Sequence, residues 1–342
     1  MSTQATGQSL VVALPPHERS EVSVSRIMWT VALALIPTTV VGVWFYGIRA
    51  AVVTLVAVGA SVAVEHVVVR YMFRRDTTSV TDGSAVVTGM LLAFNVPASV
   101  PLWQIAVGAI VAIGVGKMAF GGIGNNPFNP ALVGRAFMLI SFPVDMTTWP
   151  APGSQGFLAW NLDAVTAATP LGLVKEAGSG GLSDVAADLP SYGSLFVGNI
   201  GGCIGEASAL AVIIGGLFLI WKGYIAWQVP VAFLVALGAV TGIAWAIDPS
   251  TYVDPLYHIL AGGAMLGAVF MVTDMTTSPM SLTGRLVFAG GAGVLTGLIR
   301  LFGGFPEGVS YSILIMNALV PVIDRHIKPR KFGYGNASGG AA

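Results

Sequence analysis

The sequence predicts an all-α polytopic membrane protein with about ten transmembrane helices, read as two inverted five-helix repeats with broken helices. Three observations lead there. Hydrophobic residues make up 55% of the 342 positions and charged residues only 9%, far below the roughly one quarter of a soluble domain. Apolar runs near the length of a bilayer crossing recur along the chain. Basic residues are shared unevenly between alternate connections, as they are when one side faces the cytoplasm.

Composition also narrows the chemistry. Sixteen basic residues balance sixteen acidic ones, so nothing points to nucleic acid as a partner. The single cysteine, Cys203, excludes an intramolecular disulfide and a cysteine-held cluster. The four histidines are scattered without metal-ligand spacing, so no metal site and no catalytic dyad is expected. Glycine is abundant, at 44 residues, which suits close packing of membrane helices.

Residues 1–25 read as a cytoplasmic N-terminal segment without a cleavable signal peptide. The first transmembrane half covers 26–142. Its spans are about Ile27–Phe45, Ala50–Val69, the short run Ala85–Phe94, Leu102–Phe120 and Ala131–Phe142. Tyr46-Gly47-Ile48-Arg49 is a turn between the first two, and Pro37 is tolerable inside a bundle. Gly121 to Pro130 cannot be regular helix. Residues 143–204 form an extracytoplasmic loop. The second half, 205–323, holds about Gly205–Trp221, Ile225–Ile247, Tyr257–Val272, Leu286–Leu301 and Val309–Ile323. A basic cytoplasmic tail, 324–342, closes the chain. With both termini inside, thirteen Lys and Arg fall on the inner side, Arg135 and Arg285 among them, and three, Arg49, Lys175 and Arg300, on the outer.

Two fragments echo each other. Asn126-Pro127-Phe128-Asn129-Pro130 leads to Gly134-Arg135, and Thr276-Thr277-Ser278-Pro279 leads to Gly284-Arg285. Either they mark inverted halves with a site near the midplane, or Gly and Pro recur by chance in a Gly-rich chain. Among ionisable residues at membrane depth, Glu65 and His66 are expected to pair with inner-face arginines. Glu206 either caps a helix or takes part in an ion path, and His258 lies in the eighth span. Arg135 and Arg285 are expected to snorkel to the inner surface. Asn126 and Asn129 either satisfy broken-helix backbone or line a cavity.

The loop carries Asp163-Ala164-Val165-Thr166-Ala167-Ala168-Thr169-Pro170-Leu171. On residue types alone it reads as a helix cap, with Asp163 or Thr166 as N-cap. It also has what an acceptor hydroxyl needs if a separate transferase supplies the activation: exposure, small neighbours and a defined flank.

From Arg26 to about residue 330 the chain resembles the NqrB/RnfD family, nearer its RnfD branch. The resemblance rests on Asp82-Gly83-Ser84-Ala85-Val86-Val87-Thr88-Gly89, Asn126 to Ala131, the loop motif, and Gly205-Glu206-Ala207-Ser208-Ala209, in that order. Members of this family are membrane subunits of ion-translocating oxidoreductases. The resemblance implies FMN joined to Thr169 through a phosphoester, added by a flavin transferase, with a second, non-covalent flavin such as riboflavin. It implies the other Rnf complex subunits (A, B, C, E and G) as partners in a bacterial inner membrane. It also implies electron transfer linking ferredoxin and NAD to movement of Na⁺ or H⁺. The competing reading is a urea-channel-like passive solute channel, which the broken helices would also suit.

Overall fold

The structure, a computed structural model, describes residues 22–74, 81–153, 157–158, 167–177, 188–304 and 307–328. Among the described residues every regular element is a helix. Four helical stretches are long and apolar enough to cross a membrane: Val24–Met72, Leu102–Phe120, Gln228–Ile247 and Leu282–Phe302. The outer surface of the bundle carries Trp44, Leu55, Trp221, Ile247 and Phe302 at 70% exposure or more. So many bare apolar side chains suit lipid rather than water.

Helix α1 (Val24–Val67) is two limbs joined at Gly47, whose φ of 69° and ψ of −162° leave the helix. Only glycine takes that geometry without strain, and a Cβ there would lie 2.6 Å from the Phe157 carbonyl oxygen. The limbs run antiparallel. Trp29 donates to the Thr81 carbonyl (3.2 Å), while Glu65 on the other limb reaches Ser84 through Lys117. The turn expected at Tyr46–Arg49 is therefore present.

Helix α2 (Ser84–Phe94) is only 11 residues long. Asp82 accepts from the Ser84 N–H (2.7 Å) and the Ser84 hydroxyl, so Asp82-Gly83-Ser84 is the turn that starts it. Beyond Phe94 the chain leaves the helix and stays irregular to Pro101, then enters α3 (Leu102–Ile110), which runs on through a π-turn, Val111–Val115. Lys117, just beyond, pairs with Glu65 at 2.7 Å, both buried. Among the described residues Glu65 pairs not with an arginine, as expected, but with Lys117, because the end of α3 brings an ammonium directly to it; His66 is exposed.

Helix α4 (Pro130–Ser141) begins at a buried cap, Asn129, which accepts from Ala131 and Leu132 N–H. The 143–204 loop contains α5 (Pro143–Thr147), α6 (Pro170–Ala177) and α7 (Tyr192–Val197). The chain then re-enters the bundle without regular helix, and the Ile204 N–H donates to the Val96 carbonyl at 3.1 Å. One irregular stretch thus completes the other, as backbone away from water requires.

After α8 (Ala209–Trp221) and α9 (Gln228–Ile247), the Tyr257–Val272 stretch differs from the single span the sequence predicts. It divides into α10 (Pro255–Leu260) and α11 (Ala264–Leu266), the latter continuing as a π-turn to Met271. The break falls at Gly262 and Gly263, both at positive φ. A Cβ on Gly262 would lie 2.2 Å from Leu171 Cδ1, so the gap is where α6 sits. Helices α12 (Leu282–Phe302) and α13 (Val309–His326) complete the fold. The echoing fragments meet at one end of the bundle, through Asn126–Thr276 (3.4 Å) and Asn317 to the Thr277 carbonyl (3.0 Å).

Candidate functional site

Thr169 is the N-cap of α6. Its Oγ1 accepts from the Gly172 N–H at 3.0 Å and its carbonyl from Leu173 N–H at 3.0 Å. Pro170 at the first helical position has no N–H to satisfy. Leu171 anchors the helix in a small core with Leu195, Val253, Tyr257 and Ala261. On the other side, the Ala167 N–H donates to the Trp149 carbonyl (2.9 Å). A Cβ on Gly201 would come within 2.9 Å of Ala167 Cβ. The small residues flanking the threonine are thus needed for packing as well as access. Asp163 and Thr166, the other named positions of the motif, lie outside the described residues.

Thr169 is buried, at 6% exposure, unlike the exposed acceptor the sequence suggests, and it lines a cleft of about 440 Å³. Met146 to Trp149, Ala167 and Ala168, Gly172 and Glu176 line it, with Arg135, Leu139 and Glu307. That volume lies within the ~300–1,000 Å³ of small-molecule sites. The residues fit a phosphoester at Thr169. The hydroxyl oxygen already accepts from Gly172, so replacing its proton by phosphorus leaves the cap intact. The N–H end of α6 favours the negative charge a phosphate brings.

Arg135 does not snorkel. It is 6% exposed and donates to Asn95 Oδ1 (3.0 Å), Ser310 Oγ (2.7 Å) and the Glu307 carboxylate. With the α4 cap buried against Asn317, the second turn sits inside the bundle, facing the polar groups of Asn95 and Ser310. Arg285, by contrast, reaches the Met280 carbonyl at the surface. Arg300 is also buried and donates to the carbonyls of His258, Ala261 and Gly262, closing the C-terminal end of α10.

Glu206 closes the 3₁₀ turn Ile204–Glu206, and its carboxylate faces the Gly263 break. Donor atoms of Cys203, Glu206 and Glu307 lie within 4.8 Å of one another. Arg135 holds Glu307, so the two acids lie close together with a guanidinium already on one. Sequence reasoning missed Glu307 and Asn95, which are distant in the chain and follow no spacing rule. At the opposite end, Asn126 and Asn129 line a cavity of about 80 Å³ with Lys117 and Asp274. Asn129 serves as a cap, whereas the Asn126 Oδ1 is buried without a partner.

Residues 11–333 match the model of the NQR2, RnfD, RnfE family. The chain is 45% identical over 326 residues to the D subunit of the proton-translocating ferredoxin:NAD(+) oxidoreductase complex of Clostridium ljungdahlii, covering 94% of this chain and 96% of that one. It is 42% identical to the D subunit of the Na(+)-translocating ferredoxin:NAD(+) oxidoreductase complex of Acetobacterium woodii, over 95% and 96% of the two chains. The D subunit of an ion-translocating oxidoreductase complex of Stutzerimonas stutzeri is 41% identical over 91% and 92%. With the match running through both halves and the loop between them, the chain belongs to the NQR2, RnfD, RnfE family.

Proposed function

We propose that this chain is the flavin-carrying membrane subunit of an Rnf-type ferredoxin:NAD⁺ oxidoreductase that moves Na⁺ or H⁺. The observation that carries the reading is Thr169: an acceptor hydroxyl that caps a short helix and lines a cleft of about 440 Å³. A bound flavin would supply one- and two-electron exchange, which no side chain here can perform. The protein's own part is placement. Thr169 provides the ester oxygen, and Leu171 and the Gly262 break hold α6 still. Leu139 and Met146 present apolar surface, and the Arg135–Glu307 ion pair lines the cleft beside them.

The same reading takes the apolar segments as ten crossings with both termini cytoplasmic and the 143–204 loop outside, in a bacterial inner membrane. The antiparallel limbs of α1, the short apolar helices α2 and α8 and the divided α10–α11 segment support that count. A second, non-covalent flavin would find donors beside Asn126, in a cavity that must widen from about 80 Å³ to take it. Glu206 and Glu307 are the acids placed to answer charge arriving in the cleft, which suits them to the ion-coupling step. The A, B, C, E and G subunits of Rnf and a flavin transferase are the partners this function requires.

The test is denaturing electrophoresis of the complex from cells with an active flavin transferase, read under ultraviolet light, with intact-mass analysis. A fluorescent band that survives in Thr169→Ser and vanishes in Thr169→Ala is expected. An unmodified Thr169 in the native complex overturns the reading.

A further inference from the structure

A second pocket flanks α6 on the face away from the Thr169 cleft. It holds about 300 Å³ between α6, the α9–α10 connection and the last turn of α12. Lys175, His258 and Arg300 line it, and none of its described lining residues is acidic. Asp254, next to it in sequence, is turned away: its oxygens accept from Leu256 and Tyr257 N–H and from the Tyr192 hydroxyl. His258 is 3% exposed, yet its Nδ1 has no hydrogen-bond partner. The Arg300 Nε is buried without a partner as well. Lys175 spends one bond on the Gly303 carbonyl, and its ammonium has donors to spare. Unpaired buried polar atoms are costly, and here both belong to residues that line one cavity together with Lys175.

The rest of the wall is largely apolar: Leu171, Val174, Leu301 and Phe302. Phe302 is 74% exposed and ends the apolar length of α12, so the pocket opens at the border of the lipid-facing surface. We propose that this pocket binds a phosphate group, with Lys175 and His258 as its ligands and Arg300 as the buried charge behind them, and that its source is the headgroup of an anionic phospholipid. Basic pockets between membrane helices take such headgroups, and the apolar wall accepts the start of an acyl chain. Lys175 lies six residues along α6 from Thr169, about 9 Å at helical rise, so occupancy on this face steadies the helix that forms the opposite cleft. The site stands independently of any flavin.

The test uses the whole membrane complex, delipidated in detergent, as wild type, Lys175→Ala and His258→Gln. Thermal unfolding is followed with added phosphatidylglycerol, phosphatidylcholine or inorganic phosphate. Phosphatidylglycerol should raise the wild-type midpoint where phosphatidylcholine does not, and each substitution should weaken that response about tenfold in lipid concentration, the loss of one charge-assisted hydrogen bond. Protection by inorganic phosphate alone would keep the phosphate site and overturn the lipid as its source. Equal protection by both lipids, no protection by any addition, or unchanged responses in both variants would overturn the proposal.

Discussion

Lys117 and Glu65 tie three elements together. The ammonium lies 2.7 Å from the carboxylate and 2.6 Å from the Ser84 hydroxyl, joining the second limb of α1, the start of α2 and the end of α3. The two side chains are 3% and 2% exposed, so water cannot take over the role of a missing partner. Lys117→Met leaves Glu65 buried and unpaired, and Glu65→Leu does the same to Lys117. Each is expected to lose about 3–5 kcal/mol, the range for breaking a buried pair from one side. Changing both together removes both desolvation penalties and leaves an apolar contact of similar volume, so the double variant should lie within about 1–2 kcal/mol of wild type, or above it. Denaturation of the three variants in mixed micelles gives the cycle. Single losses below about 1 kcal/mol, or losses that simply add in the double variant, would refute the claim that the pair is closed to solvent.

Gly262→Ala should destabilise by about 2–4 kcal/mol, combining a left-handed backbone for alanine with overpacking against Leu171. If α6 is seated as described, the same change lowers the covalent flavin yield measured by band fluorescence, while Gly290→Ala, where a Cβ meets nothing within 4 Å, leaves it unchanged. Glu307→Gln removes the carboxylate from Arg135 and leaves a buried guanidinium beside Asn95 and Ser310. Melting should show a loss of several degrees, and a flavin in the cleft should become easier to reduce in a redox titration. In the loop, the hydrogen bond to Asp254 holds the pKa of the Tyr192 phenol up at about 12. An unfolded tyrosine titrates near ~10, so this contact favours the folded chain fully below that pH and its contribution is lost as pH rises through roughly 10 to 12. Tyr192→Phe should flatten the stability profile across that window alone.

Much of the architecture could be read in advance, because in a membrane composition and chain length do most of the selecting. The predicted Leu102–Phe120 and Ile225–Ile247 segments lie close to the helical stretches found. The Gly47 turn was visible because a polar, glycine-bearing tetrad interrupts two apolar runs. Asp82-Gly83-Ser84 stood out as a motif, and its role is a helix start. What escaped notice depends on pairing across the chain. Arg135 finds Asn95, Ser310 and Glu307 at separations of 40, 175 and 172 residues, which no local pattern announces. The break in the eighth span was signalled only by adjacent Gly262 and Gly263, a weak mark in a chain so rich in glycine. Thr169 was singled out only through the family resemblance, since residue types alone favoured a helix cap at Asp163 or Thr166. Its use as the cap of α6 was not legible, because Asp163 and Thr166 are equally good caps by residue type.

The hydrogen bond from Ile204 to Val96 bears on how the chain is made. The two residues are separated by the whole 143–204 loop, so a ribosome releases the acceptor long before the donor. Throughout that interval the unwound stretch after α2 has a bare carbonyl that lipid cannot satisfy. Insertion of the first half is therefore provisional until the second arrives, and a gene split within the loop should yield stable protein only when both fragments are synthesised in the same cell.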